Sequence, residues 1–258
     1  KKVKVIRENN KGKYMQITNF IIINVVTILY NIINLFMFKY ENKYSNDIEA
    51  QSEEEKAEAD DGNNKKQQEY TEEKYKLTDS VGVVFLVFMF FMNIVLANVI
   101  TYVYQNSVAI NVKLMFIVSI LWPIAFIDSR TKRIPNDILK IMLVGRLVFL
   151  IPEFIMVGDI PHRLLSMLIA TVAVFLACVL CCLLIKGAIG MGDVKLFSVM
   201  ALYLGLEGIW PAIFCSLIVS FFVAVFSLVT KRAKRKDNIP FAPAILIGTY
   251  LSVFLTGI

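Results

Sequence analysis

The chain has 258 residues, 57% hydrophobic and 19% charged, with a formal net charge of +6 and a mean hydropathy of +0.64. A water-soluble domain of this length would interrupt its apolar runs more often, so that class is excluded. The positive excess is not a nucleic-acid signal, because the basic residues sit in short loops beside apolar segments without interleaved aromatics.

Charge is absent over 80–112 and sparse over 164–185 and 209–230. Each stretch reaches the ~18–20 apolar residues a helix needs to cross the hydrocarbon core. Unbroken runs, rather than alternating ones, exclude a membrane β-barrel. The expected fold class is therefore all-α, a polytopic membrane helix bundle of about eight spans.

In chain order, the hydrophobic segments fall at 17–38, 81–104, 109–127, 138–157, 164–185, 194–204, 209–230 and 241–257. The first is too long for a signal peptide and lacks a small-residue cleavage pattern, so it reads as a membrane helix. The polar stretch 39–79, containing Ser52-Glu53-Glu54-Glu55-Lys56, has low hydrophobicity and no periodicity; it reads as a solvated loop. The chain thus divides into a tail and first helix (1–38), an acidic loop without cysteine (39–79), a second helix (80–108) and a six-helix core (109–258).

Orientation follows from the basic residues. Arg130, Lys132, Arg133, Lys186, Lys195 and the run 231–236 share one set of loops, while the opposite set holds little more than Lys113 and Arg163. The richer set should face the cytoplasm, which puts Asp128 and Asp193 on that face and His162 on the other. One observation runs against this: the basic segment 1–13 then falls outside. Cys178, Cys181, Cys182 and Cys215 all lie in apolar segments and read as packing residues, and the single histidine excludes two-histidine zinc sites. No metal or cofactor is expected.

Two aspartates stand out by their company. Asp128 ends the third segment in Ile127-Asp128-Ser129-Arg130-Thr131-Lys132-Arg133-Ile134-Pro135-Asn136, and Asp193 opens the sixth in Gly190-Met191-Gly192-Asp193-Val194-Lys195-Leu196. Ionisable residues at membrane helix ends that face a bundle interior are functional candidates. A carboxylate pair suits peptide hydrolysis: one member takes a proton from water while the other, protonated, polarises the scissile carbonyl. Gly190 and Gly192 permit a sharp turn and a close backbone approach. Plainer readings exist for each: Asp193 as a helix cap, Asp128 as a helix flank paired with Arg130 or Lys132. Lys195 reads as a charge near Asp193 or as a snorkelling side chain. Arg146, seven residues before Glu153 on one helical face, reads as half of a buried ion pair, a counter-charge or a snorkel.

The segment from Asp128 to Asn136 resembles the D-x5-I-P-N motif of bacterial type IV prepilin peptidases, and Gly190 to Leu196 resembles their G-x-G-D-x-K-L motif. The 65-residue interval holds two spans, as in that family. Ile239-Pro240-Phe241-Ala242-Pro243 resembles the P-F-G-P start of the family's last helix, with Ala242 in place of glycine. The resemblance covers about 109–258. It implies an intramembrane aspartic endopeptidase that removes the short basic leader from prepilins or pseudopilins at the cytoplasmic membrane boundary. Asp128 and Asp193 would be the catalytic pair. Gly190, Gly192, Lys195, Pro135, Asn136, Pro240, Phe241 and Pro243 would support the site or bind substrate. The implied partners are the prepilin substrate and the lipid bilayer of the bacterial cytoplasmic membrane; association with further copies of the chain is compatible with it. Longer, bifunctional members carry cysteine pairs in the region matching 39–79, so its lack of cysteine argues against N-methyltransferase activity. Proteases of the presenilin and signal-peptide-peptidase type fit less well: their Tyr-Asp is Ile127-Asp128 here, and their Pro-Ala-Leu element is missing. The non-enzymatic alternative is a transporter or pilus-assembly scaffold that uses the aspartates for protons or cations.

Overall fold

A computed structural model describes residues 16–38, 80–156, 160–184, 189–230 and 240–257. The basic segment 1–13, the acidic loop 39–79, Lys186 and the run 231–236 lie outside the described residues. Seven helices follow one another: α1 (Gln16–Phe38), α2 (Ser80–Tyr102), α3 (Val108–Thr131), α4 (Asn136–Met156), α5 (Ile160–Leu184), α6 (Met191–Val229) and α7 (Ala242–Thr256). Among the described residues there is no strand. α1, α3, α5, α6 and most of α2 are long and apolar enough to cross a membrane. Large apolar side chains cover the outside, among them Ile155, Leu183, Leu184 and Val229, each at least three-quarters exposed. Such a surface is stable against lipid and not against water. The protein is a multi-pass membrane protein.

α3 is the central helix. It is apolar on every side, as a helix surrounded by others must be, and α2, α4, α6 and α7 all pack on it. Ser107 caps its start by accepting from the Ile110 N–H. Lys132, in the left-handed conformation, ends it by donating its N–H to the Asp128 carbonyl at 2.8 Å. Polar side chains link the helices where lipid offers no hydrogen bonds. Trp122 Nε1 donates to the Tyr250 hydroxyl at 2.8 Å, Tyr250 to Asn93 Oδ1, and Asn93 Nδ2 to Asn31 Oδ1 at 2.6 Å. This relay joins α3, α7, α2 and α1. Asn34 Nδ2 adds a bond to the Ser119 carbonyl at 2.8 Å.

The element α6 is two spans. Gly205 breaks it with φ 65° and ψ −170°, a backbone region open essentially only to glycine. The amide of Leu206, freed from the helical pattern, donates to Ser166 Oγ at 3.2 Å. The chain reverses there: Phe197 packs edge-on against Phe241 at the start of α7, Gly205 and Gly257 line one cavity at its end, and Ser216 packs on Gly248 midway back. The sequence reading of separate spans at 194–204 and 209–230 corresponds to these two arms.

One expectation needs correction. Lys113 was counted among the loop charges, yet it lies within α3, buried, with its Nζ 2.8 Å from Glu153 Oε1. Its hydrophobic neighbours hide it in the sequence; the compensating acid is on another helix.

A Cβ at Gly248 would collide with the Ser216 backbone, and one at Gly205 would crowd Ser166 Oγ at 3.2 Å in a backbone conformation that side chains rarely adopt. Gly205→Ala should cost about 1–3 kcal/mol in strain, and Gly248→Val should cost more. Thermal unfolding in detergent would check both, and native-like melting of Gly248→Val would contradict this packing.

Candidate active site

Asp128 occupies the last turn of α3, 5% exposed. Its side chain points across the bundle to the start of α7, where Oδ2 accepts the Ala242 N–H at 2.9 Å; the Phe241 backbone also hydrogen-bonds this carboxylate. The first N–H groups of a helix have no partner within it, so a carboxylate there meets both open donors and the positive end of the helix dipole. Pro240 and Pro243 flank this contact. Pro243 sits in the first turn, where its missing N–H costs nothing. The Arg130 guanidinium lies over the Phe126 ring, 4.3 Å from its centroid.

Asp193 is the third residue of α6, half-buried. The Gly190 backbone hydrogen-bonds its carboxylate; the N-cap position is Gly190, not Asp193, which reaches back to it from the first turn. The same side chain is within electrostatic reach of Asp128. Gly192 makes that approach possible. A Cβ on it would stand 3.2 Å from Ile134 Cβ, so the glycine lets the start of α6 lie against the loop between α3 and α4. Lys195 Nζ donates to Asn136 Oδ1 at 3.1 Å and ties the same two segments from the exposed side. Phe197 and Phe241, with ring centroids 5.8 Å apart, join α6 to the start of α7.

The sequence-selected residues are thus brought together at one end of the bundle: Asp128, Pro135 and Asn136 from the first motif, Gly190, Gly192, Asp193 and Lys195 from the second, and Pro240, Phe241 and Pro243 from the third. His162 and Arg146 line a cavity with Gly205 and Gly257, at the other end. Reading the sequence alone missed Ile134 and Phe197 as contact residues, since nothing marks them apart from other apolar side chains. It also missed the Cys182 thiol, which donates to the Ile189 carbonyl at 3.6 Å just before Gly190. Among the described residues no cluster of His, Cys, Asp or Glu could hold a metal ion.

Fold and site together define a polytopic helical membrane protein with two aspartates at one end of its bundle. Residues 115–228, which contain both aspartates, match the type IV leader peptidase family. The prepilin leader peptidase/N-methyltransferase of Bacillus subtilis (strain 168) is 30% identical over 138 residues, 52% of this chain and 52% of that protein. The chain thus spans about half the length of this curated relative. No solved structure matches it.

Asp128→Asn keeps an oxygen that can accept the Ala242 N–H, whereas Asp128→Ala leaves that buried donor unpaired at a cost of about 1–3 kcal/mol. The asparagine variant should melt near the native temperature and the alanine variant below it. Equal melting of the two in detergent would contradict the contact.

Proposed function

We propose that the chain is an aspartic endopeptidase that removes the leader peptide from prepilins or prepilin-like proteins, with Asp128 and Asp193 as its catalytic pair. The observation that carries this reading is the placement of both carboxylates at one end of the bundle, Asp128 fixed by the start of α7 and Asp193 in the first turn of α6, whose Phe197 packs on Phe241. The match of residues 115–228 to the type IV leader peptidase family supports it. The six-helix unit 109–258 would form the peptidase core, with α1 and α2 packed on it through Asn31 and Asn93.

Two close carboxylates do not both ionise comfortably, so the pair holds one proton between them. The ionised member removes a proton from water as the water oxygen attacks the scissile carbonyl carbon. The protonated member gives its proton to the carbonyl oxygen. Collapse of the tetrahedral intermediate then breaks the C–N bond, and the proton taken from water passes to the departing amine. As the carbon–oxygen double bond re-forms, a hydroxyl of the intermediate returns its proton to the carboxylate that donated it, so the pair again holds one proton and no cofactor is consumed. The site's position at a bundle end suits a substrate whose leader is in water and whose following helix is in lipid. By the excess of Lys and Arg in its loops, this end would face the cytoplasm.

Co-expression with a prepilin from the same genome should give a shortened product on a gel. Asp128→Asn and Asp193→Asn should each abolish it at normal membrane levels; continued cutting by either would sink the two-aspartate mechanism. The new pilin N-terminus should carry no methyl group, since 39–79 lacks the cysteine pairs of the bifunctional pattern. A one-methyl mass increase that depends on this protein would overturn that part.

A further inference from the structure

The end of the bundle opposite the aspartates contains a cavity of about 340 Å³. Its lining is unusual for a membrane protein: Lys113, Arg146, Arg163 and His162 with Glu153 and Glu207. Glu153 alone answers two cations, with Arg146 Nη2 at 2.7 Å from Oε2 and Lys113 Nζ at 2.8 Å from Oε1. Arg146 is 3% exposed, and its Nε and Nη1 find no acceptor among the described protein atoms. Buried donors of a fixed cation are costly to leave unmade. Arg163 adds a further positive charge at the first turn of α5, close enough to act electrostatically on Lys113. Glu207 is exposed, so water screens it more than the buried groups.

Helix dipoles do not set this field: α3, α5 and the second arm of α6 begin at this end, while α2, α4, the first arm of α6 and α7 finish there. The positive character comes from the side chains, and two of the carbonyls that end α7 are already used, Tyr104 donating to Phe254 O at 2.7 Å and Asn106 Nδ2 to Gly257 O at 2.6 Å. Beside the cavity, Ile155 and Met156 of α4 and Leu165 and Leu168 of α5 face outward as an apolar surface.

From these features we infer that the cavity is a binding site for a phosphate group, held by Arg146, Lys113 and Arg163. A phosphate supplies several acceptor oxygens around one negative centre, which suits the unused guanidinium donors. The group belongs either to a lipid headgroup, with its acyl chains along α4 and α5, or to a free phosphate.

The test uses the full chain purified in neutral detergent, with binding read by thermal-shift titration and native mass spectrometry. Three probes are added: inorganic phosphate, phosphatidylglycerol in mixed micelles, and diacylglycerol as the phosphate-free control. The inference expects saturable binding of at least one phosphate-bearing probe and none of diacylglycerol. Saturation by phosphatidylglycerol alone identifies a headgroup site; saturation by inorganic phosphate alone identifies a free-anion site. Arg163→Gln should weaken binding about tenfold, the loss of one charge-assisted contact, while prepilin processing persists. Lys113→Met, Arg146→Met and Glu153→Met together remove the triad without stranding a member, and should abolish binding. If the triple change prevents folding, Arg163→Gln decides alone. Binding of neither phosphate probe, equal binding of diacylglycerol, or undiminished affinity in folded variants would overturn the inference.

Discussion

The hydrogen bond from the Ala242 N–H to the Asp128 carboxylate joins the end of the central helix to the start of the last one. Within a membrane neither partner could be left to water, so each needs the other. Once Asp128 is fixed there, α7 runs back along α3 with Gly248 against Ser216, and the second arm of α6 is held beside it. The first arm starts at Gly190 and Gly192, where the absence of side chains lets Asp193 come within reach of Asp128. A site between three helices thus depends on one carboxylate serving as an N-terminal cap. That role and the proposed chemistry are compatible, because a capped carboxylate is an oriented one.

The two ends of the bundle solve the problem of polar groups in lipid differently. At the aspartate end, the carboxylates meet backbone donors at the starts of α7 and α6. At the far end, three buried charges from α3 and α4 compensate in a triad of Lys113, Glu153 and Arg146. Breaking such a triad at one member would strand a buried charge, so its parts act as a unit. Between the ends, the relay from Trp122 to Asn31 attaches α1 and α2 to the core with side chains that are each half-satisfied in isolation.

Much of this was legible in the sequence. The apolar lengths give the helices, and even the division at Gly205 appears as a gap between 204 and 209, because glycine and Glu207 interrupt the apolar run. The ion pair of Arg146 and Glu153 follows from seven-residue spacing on one helical face. What stayed hidden depends on contacts between helices distant in sequence. Nothing local announces that Asp128 answers Ala242, 114 residues later, or that Lys113 belongs to Glu153. The substitution of alanine for glycine at 242 is easily accommodated, since the contact uses the backbone N–H that any residue but proline supplies.

The central claim is that Asp128 and Asp193 work as a pair sharing one proton, and the pH dependence of cleavage tests it most directly. Purified protein acting on a prepilin peptide would be assayed over a range in which it stays folded. The account predicts a bell-shaped rate profile, falling on the acid side as both carboxyls protonate and on the alkaline side as both ionise. A profile with a single falling limb would mean that only one carboxyl takes part, and would contradict the account.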